Sequence, residues 1–189
     1  MASSTDRPRT RKSPHERRAE ILDAAATIAT DEGLERITLR AVADRLGVRP
    51  GLVTHYFPVA EELVVEAFVQ AASAHRENMF PAGGSPLQQL HHFVTVTDRD
   101  DSLPPARLWL NARHLSRFVP GLAVALSEQQ RLDEARLGQI IEAAITEGSI
   151  RPLDVADTAV RILMALDGKG AYANDITPYT EAGFGVGGD

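Results

Sequence analysis

The sequence predicts an all-α fold: an N-terminal three-helix unit containing a helix-turn-helix, followed by a larger helical domain. Three observations predict it. Apolar residues recur at three- and four-residue spacing along the chain, and no segment alternates with the period of two that a half-buried strand needs. Residues that start and stop helices stand at the edges of those stretches. Two of the stretches are short and separated by little more than Gly47, the signature of two helices meeting at a tight turn.

Residues 1–12 are rich in Ser, Thr, Pro and Arg and lack apolar periodicity, so a disordered basic arm is expected there. Ser13-Pro14-His15-Glu16 reads as a helix start, with Ser13 as N-cap, Pro14 in the first position and Glu16 closing a capping box. Ile21, Leu22, Ala25, Ile28 and Ala29 form the buried face of a first helix over 14–31, and Gly33 ends it. Thr38 caps a second helix over 39–46, whose apolar stripe is Leu39, Val42, Ala43 and Leu46. After Gly47, a third helix starts at Pro50 and runs to Tyr56. Phe57 closes it, and Pro58 forces the chain out of helix.

A fourth helix is expected from Val59 or Ala60 to near Phe80, through Leu63, Val64, Ala67, Phe68 and Ala71. Pro81 to Pro86 breaks the chain. Further helices are expected over 86–97, 105–116, 121–147 and 155–173, with Asp98 to Pro105 as a charged loop and Gly148 and Asp154 as caps. The tail from residue 177 is rich in Gly and cannot hold a stable helix. The expected organisation is an arm (1–12), a helix-turn-helix domain (13–58), a second helical domain (59–176) and a Gly-rich tail (177–189).

Composition narrows the chemistry. The chain has 189 residues, 43% of them hydrophobic, so it can bury a core. It has no cysteine, which excludes disulfides and thiolate metal sites. No apolar run approaches a membrane span, and the N-terminus does not read as a secretory signal, so a cytoplasmic location is expected. Net charge is −6, but it is divided unevenly. Residues 1–57 carry ten basic and eight acidic residues, whereas 58–189 carry ten and eighteen. A basic end on an acidic body suits a nucleic-acid reader, because phosphate attraction acts within a Debye length.

Residues 38–57 carry the chemistry. Ala43 is small where two helices must cross, Gly47 takes the turn conformation, and Val48 and Val53 are expected to bury against the first helix. The third helix then points its N-terminal half outward, where it can enter a major groove about 12 Å wide. Its first amides favour a phosphate, and Thr38 offers the same on the second helix. Arg40 can reach a guanine edge or a phosphate, and Thr54, His55 and Tyr56 supply donors at the groove wall. An ordinary αα-hairpin is the competing reading of these residues alone.

The surrounding residues resemble the DNA-binding domain of the TetR family of bacterial regulators. The matching run is Ile21-Leu22-Asp23-Ala24-Ala25, Gly33, Thr38 to Ala43, Leu46-Gly47-Val48, Pro50 to Phe57, and Glu61-Glu62-Leu63. Arg107-Leu108-Trp109-Leu110, the long helix ending Ala-Ile-Thr-Glu-Gly-Ser-Ile-Arg-Pro, and Ala165-Leu166-Asp167-Gly168 are similar to the BetI-like branch. The resemblance implies a homodimer with a helical effector-binding and dimerisation domain. It implies a repressor that binds palindromic operator DNA and is released by a small-molecule effector.

Carried over residue by residue, it points to Thr38, Arg40, Arg49, Pro50, Gly51, Leu52, Thr54, His55 and Tyr56 as DNA contacts. Two positions depart from the family: Thr54 where many members have Tyr, and Ala60 where many have Lys. The resemblance also implies a ligand cavity among the fourth to seventh helices. Candidate lining residues are Phe68, Met79, Phe80, Phe93, Trp109 and Arg113, with Phe118 and Arg131; ordinary core packing is their alternative. The stripe Ala159, Ile162, Leu163 and Leu166 suits either a dimer interface or intramolecular core.

No enzyme is expected. His91 and His92 are adjacent, so on a helix they diverge by about 100° and chelate poorly. No His-x-x-x-His pair, phosphate loop or nucleophile elbow occurs, and no cofactor or metal is expected. The remaining alternative is a helical adaptor that has lost DNA binding.

Overall fold

The computed structural model describes residues 12–98 and 103–175, all of whose regular elements are helical. Of the arm expected over 1–12 it includes Lys12; the rest of the arm and the tail over 177–189 lie outside the described residues.

Helix α1 (Pro14–Asp31) begins at a complete capping box: the Glu16 amide donates to Ser13 Oγ at 3.2 Å, and the Ser13 amide donates to the Glu16 carboxylate at 2.7 Å. Gly33, at φ 113°, turns the chain into a single 3-10 turn, Leu34–Arg36. Helices α2 (Leu39–Leu46) and α3 (Pro50–Tyr56) follow, then α4 (Ala60–Met79), α5 (Pro86–Thr97), α6 (Leu103–Leu115), α7 (Pro120–Thr146) and α8 (Val155–Asp175).

The ends that carry strong caps fall where the sequence places them. The differences are at weaker ends. Helix α6 starts two residues before the expected 105, because Pro104 and Pro105 fit a first turn whose amides have no helical partner. Helix α8 continues through Gly168 and Gly170 to Asp175. Gly170 is there for contact: a Cβ at that position would lie 2.5 Å from the Cβ of Ala106, so its absence lets α8 approach α6 closely.

Two apolar cores form, and α4 runs through both. The first unites α1, α2 and α3 with the N-terminal part of α4, the buried face of α6 and the start of α7; Ile21, Val42, Val53, Phe57, Leu63 and Phe68 are almost fully buried there. The second lies between the end of α4, α5, α7 and α8, around Met79, Phe80, Phe93, Leu137, Ile140 and Ala159. The stripe on α8 faces inward: Ala159 is buried, and Ile162, Leu163 and Leu166 pack against this second core. Burial at the usual worth of apolar area holds both clusters together.

Candidate nucleic-acid interface and effector cavity

The turn between α2 and α3 is set by backbone rules. Gly47 adopts φ 63°, ψ 36°, the left-handed conformation that favours glycine. Its amide donates to Asp44 O at 3.2 Å, and the next amide, Val48, donates to Ala43 O at 3.0 Å. A Cβ at Gly47 would meet nothing within 4 Å, so the glycine serves conformation and not space. Ala43, fully buried, lets the two helices cross, and Val53 and Phe57 anchor α3 to the core.

With that side fixed, the opposite side of α3 is presented outward. Arg49, Pro50, Gly51, Thr54 and His55 are exposed, and Leu52 and Tyr56 are half-buried at the flanks. Tyr56 packs on the first core, with its ring edge-on to His55 at 5.1 Å. A Cβ at Gly51 would meet open space, so this surface stays low. Thr54 Oγ1 donates to Pro50 O at 3.2 Å. Thr38 accepts from the Ala41 amide at 3.0 Å, which leaves its hydroxyl proton to donate outward.

The cations differ in availability. Arg40 lies 3.7 Å from Asp44 one turn later, both side chains well exposed, a contact that exerts little hold. Arg45 is bound to Asp31 and Glu32 at 3.3 and 3.2 Å and ties α2 to the end of α1. Arg49 makes no ion pair among the described residues and is exposed. Arg36, also exposed, stands two residues before Thr38. It was not singled out by sequence reasoning; its position just ahead of an N-cap was the available signal. Ala60, the first residue of α4, is exposed and brings no charge.

A second candidate site is joined to the core under the α2–α3 turn by α4, which reaches both. A cavity of about 470 Å³ opens between α4, α6, α7 and α8. Of the expected lining residues, Met79, Trp109 and Arg113 are on its wall. The others are elsewhere. Phe68 is buried in the first core, edge-on to Trp109 at 5.5 Å. Phe80 and Phe93 stack on each other at 5.2 Å within the second core. Phe118 is 69% exposed, and Arg131 is on the surface, paired with Glu128 at 2.7 Å. Aromatic type alone does not separate a cavity wall from a core.

Beside Arg113 the wall carries Asp133, Glu134, Asp167 and Lys169, and Arg76, itself not on the wall, holds the first of them. Arg76 of α4 is ion-paired with Asp133 of α7 and bonds Gln129 through its backbone oxygen at 3.2 Å and its side-chain oxygen at 2.6 Å. Asp133 is 4% exposed. Its burial pushes its pKa up to about 6, outweighing the attraction of Arg76, and the charge of Asp167 adds to the rise. Arg113 is ion-paired with Asp167 of α8 and bonds Gln130 at 3.3 Å. Gln129 and Asp133 fall on the helical stripe between Leu126 and Leu137, a pattern that marks them as buried polar residues. His75, also on the wall, is held at a pKa of about 4 by burial and by its neighbour Arg76.

Comparison with known proteins agrees with this geometry. Residues 21–67 match the family of bacterial regulatory proteins described as tetR. The transcriptional repressor KstR of Mycolicibacterium smegmatis is 38% identical over 87 residues, and the match spans 44% of this chain and 43% of that relative's length. The repressor KstR2 of the same organism is 34% identical over 153 residues, covering 78% of this chain and 75% of the relative. The regulator BetI of Rhizobium meliloti is 27% identical over 153 residues, covering 77% and 70%.

Among solved structures, a TetR-family regulator from Rhodococcus sp. superposes with a TM-score of 0.70 at 24% identity, covering 86% of this chain and 90% of that one. A transcriptional regulator from Saccharomonospora viridis in complex with choline gives 0.72 at 18% identity, covering 87% and 88%. These two share the fold. The extent of the KstR2 match, together with the family match across the helix-turn-helix, shows that this chain belongs to the tetR family of bacterial regulatory proteins.

Proposed function

We propose that the protein is a ligand-controlled transcriptional regulator, acting as a repressor, that binds palindromic operator DNA as a homodimer and is released by a small-molecule effector. The observation that carries the reading is the division of α3. Val53 and Phe57 are locked in the core, while Arg49, Pro50, Gly51, Thr54 and His55 face outward as one surface. A short helix held in this way can enter a major groove, with Thr38 and Arg40 of α2 placed to meet the flanking backbone. Two such helices must stand about 34–36 Å apart to read successive grooves, which is why the reading includes a dimer. The repressor names of the relatives support the direction of control.

The effector half of the reading rests on the cavity and on α4, which lines it and also packs in the core of the DNA-reading unit. The choline complex of the Saccharomonospora protein supports small-molecule binding in this fold. A ligand that favours one spacing of the two readers would shift the population away from the other.

The test is binding to duplexes from the upstream region of its own gene at graded salt, with the oligomeric state measured by light scattering. Saturable, sequence-dependent binding by a dimer, weakening steeply with salt, is expected. A folded protein that binds no duplex at low salt would overturn the reading in favour of a helical adaptor.

A further inference from the structure

The polar groups on the cavity wall fall into two sets. The charged ones are engaged within the protein. Asp133 is held by Arg76, Asp167 by Arg113, and Lys169 donates to Thr97 O and the Asp98 carboxylate at 3.0 and 3.1 Å. Glu134 accepts from the Gln130 amide at 3.0 Å and has no cation partner among the described residues. The uncommitted set is neutral. The His75 ring makes no hydrogen bond among the described residues, and its Nδ1 is fully covered without a partner. The Trp109 indole N–H, a donor only, likewise has no hydrogen bond among the described residues. The rest of the wall is mostly apolar, including Met79, Ala106, Leu163 and Leu166.

We infer that the cavity takes an uncharged, largely hydrocarbon ligand whose single oxygen head, a hydroxyl or keto group, is hydrogen-bonded by His75 and Trp109. This rests on the effector reading above and gives it a chemical class. An anion would enter a wall that carries Asp133, Glu134 and Asp167 against Arg113 and Lys169, and it would find both cations already bonded. A cation would have to break an existing pair or compete with Gln130 for the half-buried Glu134, shedding water for a single contact. A neutral oxygen instead completes an imidazole that has one donor and one acceptor to offer. Burial keeps that ring uncharged above pH 4. A buried nitrogen with no partner is costly, and because Nδ1 is covered a ligand oxygen reaches it only when the ring turns, so the ligand gains by turning the ring.

The position of His75 also gives the ligand a route to the DNA reader. His75 also borders a second hollow walled by Asp23, Thr27 and Asp31 of α1 and by Gln70 of α4. Gln70 is bonded to Asp23 at 2.5 Å across that hollow. A ligand that rotates His75 therefore acts on the contact between α4 and α1.

The experiment uses the full chain and three probes with one ten-carbon tail: 1-decanol, decanoate and decyltrimethylammonium, each below its aggregation concentration. Trp109 is the single tryptophan and reports binding by its own emission. Decanol should shift that emission saturably at a concentration at least tenfold below either charged probe. His75→Phe should weaken decanol about tenfold, and His75→Gln should recover part of the loss. Tighter binding of either charged head, or unchanged decanol binding by folded His75→Phe, would overturn the inference and leave the effector reading standing. Silence from all three probes would overturn both. If His75→Phe does not fold, the ranking of the three heads on the unmodified protein decides.

Discussion

The guanidinium of Arg18 lies 4.6 Å above the ring of Phe57, the residue that closes α3. The same Nη2 donates to both carboxylate oxygens of Glu66 on α4, at 2.7 and 2.8 Å. One side chain of α1 thus holds the end of α3 and the start of α4 together. Arg18→Ala should lower stability by about 1 kcal/mol, the usual worth of a partly exposed cation–π contact with an ion pair. Arg18→Lys should restore little, because a lysine lacks the planar group that spans both partners. Urea melts of the three proteins check this; identical midpoints would show that Arg18 is only a surface charge.

Arg40 is loosely held by Asp44, and this predicts opposite effects from the two residues. Arg40→Ala should weaken a specific duplex by about 1–3 kcal/mol if the side chain reads a base. If it touches phosphate only, the loss should be equal on all sequences and the salt slope should fall by about one. Asp44→Asn should tighten binding at low salt, since it frees the arginine and removes a negative charge from the interface. Tighter binding by Arg40→Ala would contradict both statements. Fluorescence anisotropy at several salt concentrations distinguishes the outcomes.

Gly47→Ala tests conformation apart from crowding. Nothing lies within 4 Å of the added methyl group, so the substitution costs only the left-handed backbone, about 1–2 kcal/mol. Gly51→Ala, also in open space but within α3, should be neutral or slightly stabilising. Thermal melts that rank Gly51→Ala below Gly47→Ala would refute this account of the turn.

The two buried titrating residues on the cavity wall pull stability in opposite directions as pH changes. His75 has a folded pKa depressed to about 4 by burial and by the adjacent Arg76, so its contribution is present above about 6.5 and is lost as pH falls through 4. Asp133 has a folded pKa raised to about 6, so its contribution is present below 3.8 and is lost as pH rises through 6. Between pH 4 and 6 they offset each other. Removing the imidazole exposes the carboxylate's effect: relative to the unmodified protein, His75→Phe should gain about 1–2 kcal/mol between pH 7 and pH 5. Denaturant melts at both pH values give the difference. A constant gap would show that the histidine does not titrate out of step with the unfolded chain.

Much of the architecture is legible in the sequence because its boundaries are chemical. Ser13 and Thr38 accept from amides three residues on, and Gly47 takes a backbone conformation that few residues share. The outward face of α3 follows from Val53 and Phe57 facing inward. The start of α6 was less legible because Pro104-Pro105 serves a loop as well as a first turn. The cavity was least legible. Aromatic residues were its expected markers, but Phe80 and Phe93 satisfy each other, while Asp133, which the apolar stripe of α7 marks as buried, gives no sign in sequence of the cavity it faces. Which long-range pairs form, such as Arg76 with Asp133, depends on how helices pack and not on local spacing.

Helix α4 has 20 residues and joins the two cores without a break. At 1.5 Å per residue it is a lever about 30 Å long. Pivoting about its far end, a tilt of about ten degrees at the cavity would displace the DNA-reading end by about 5 Å, close to half the width of a major groove. On the effector reading proposed above, a molecule beside Trp109 need not push far: a modest angular change at one end of α4 would move its other end by a distance on the scale of a groove.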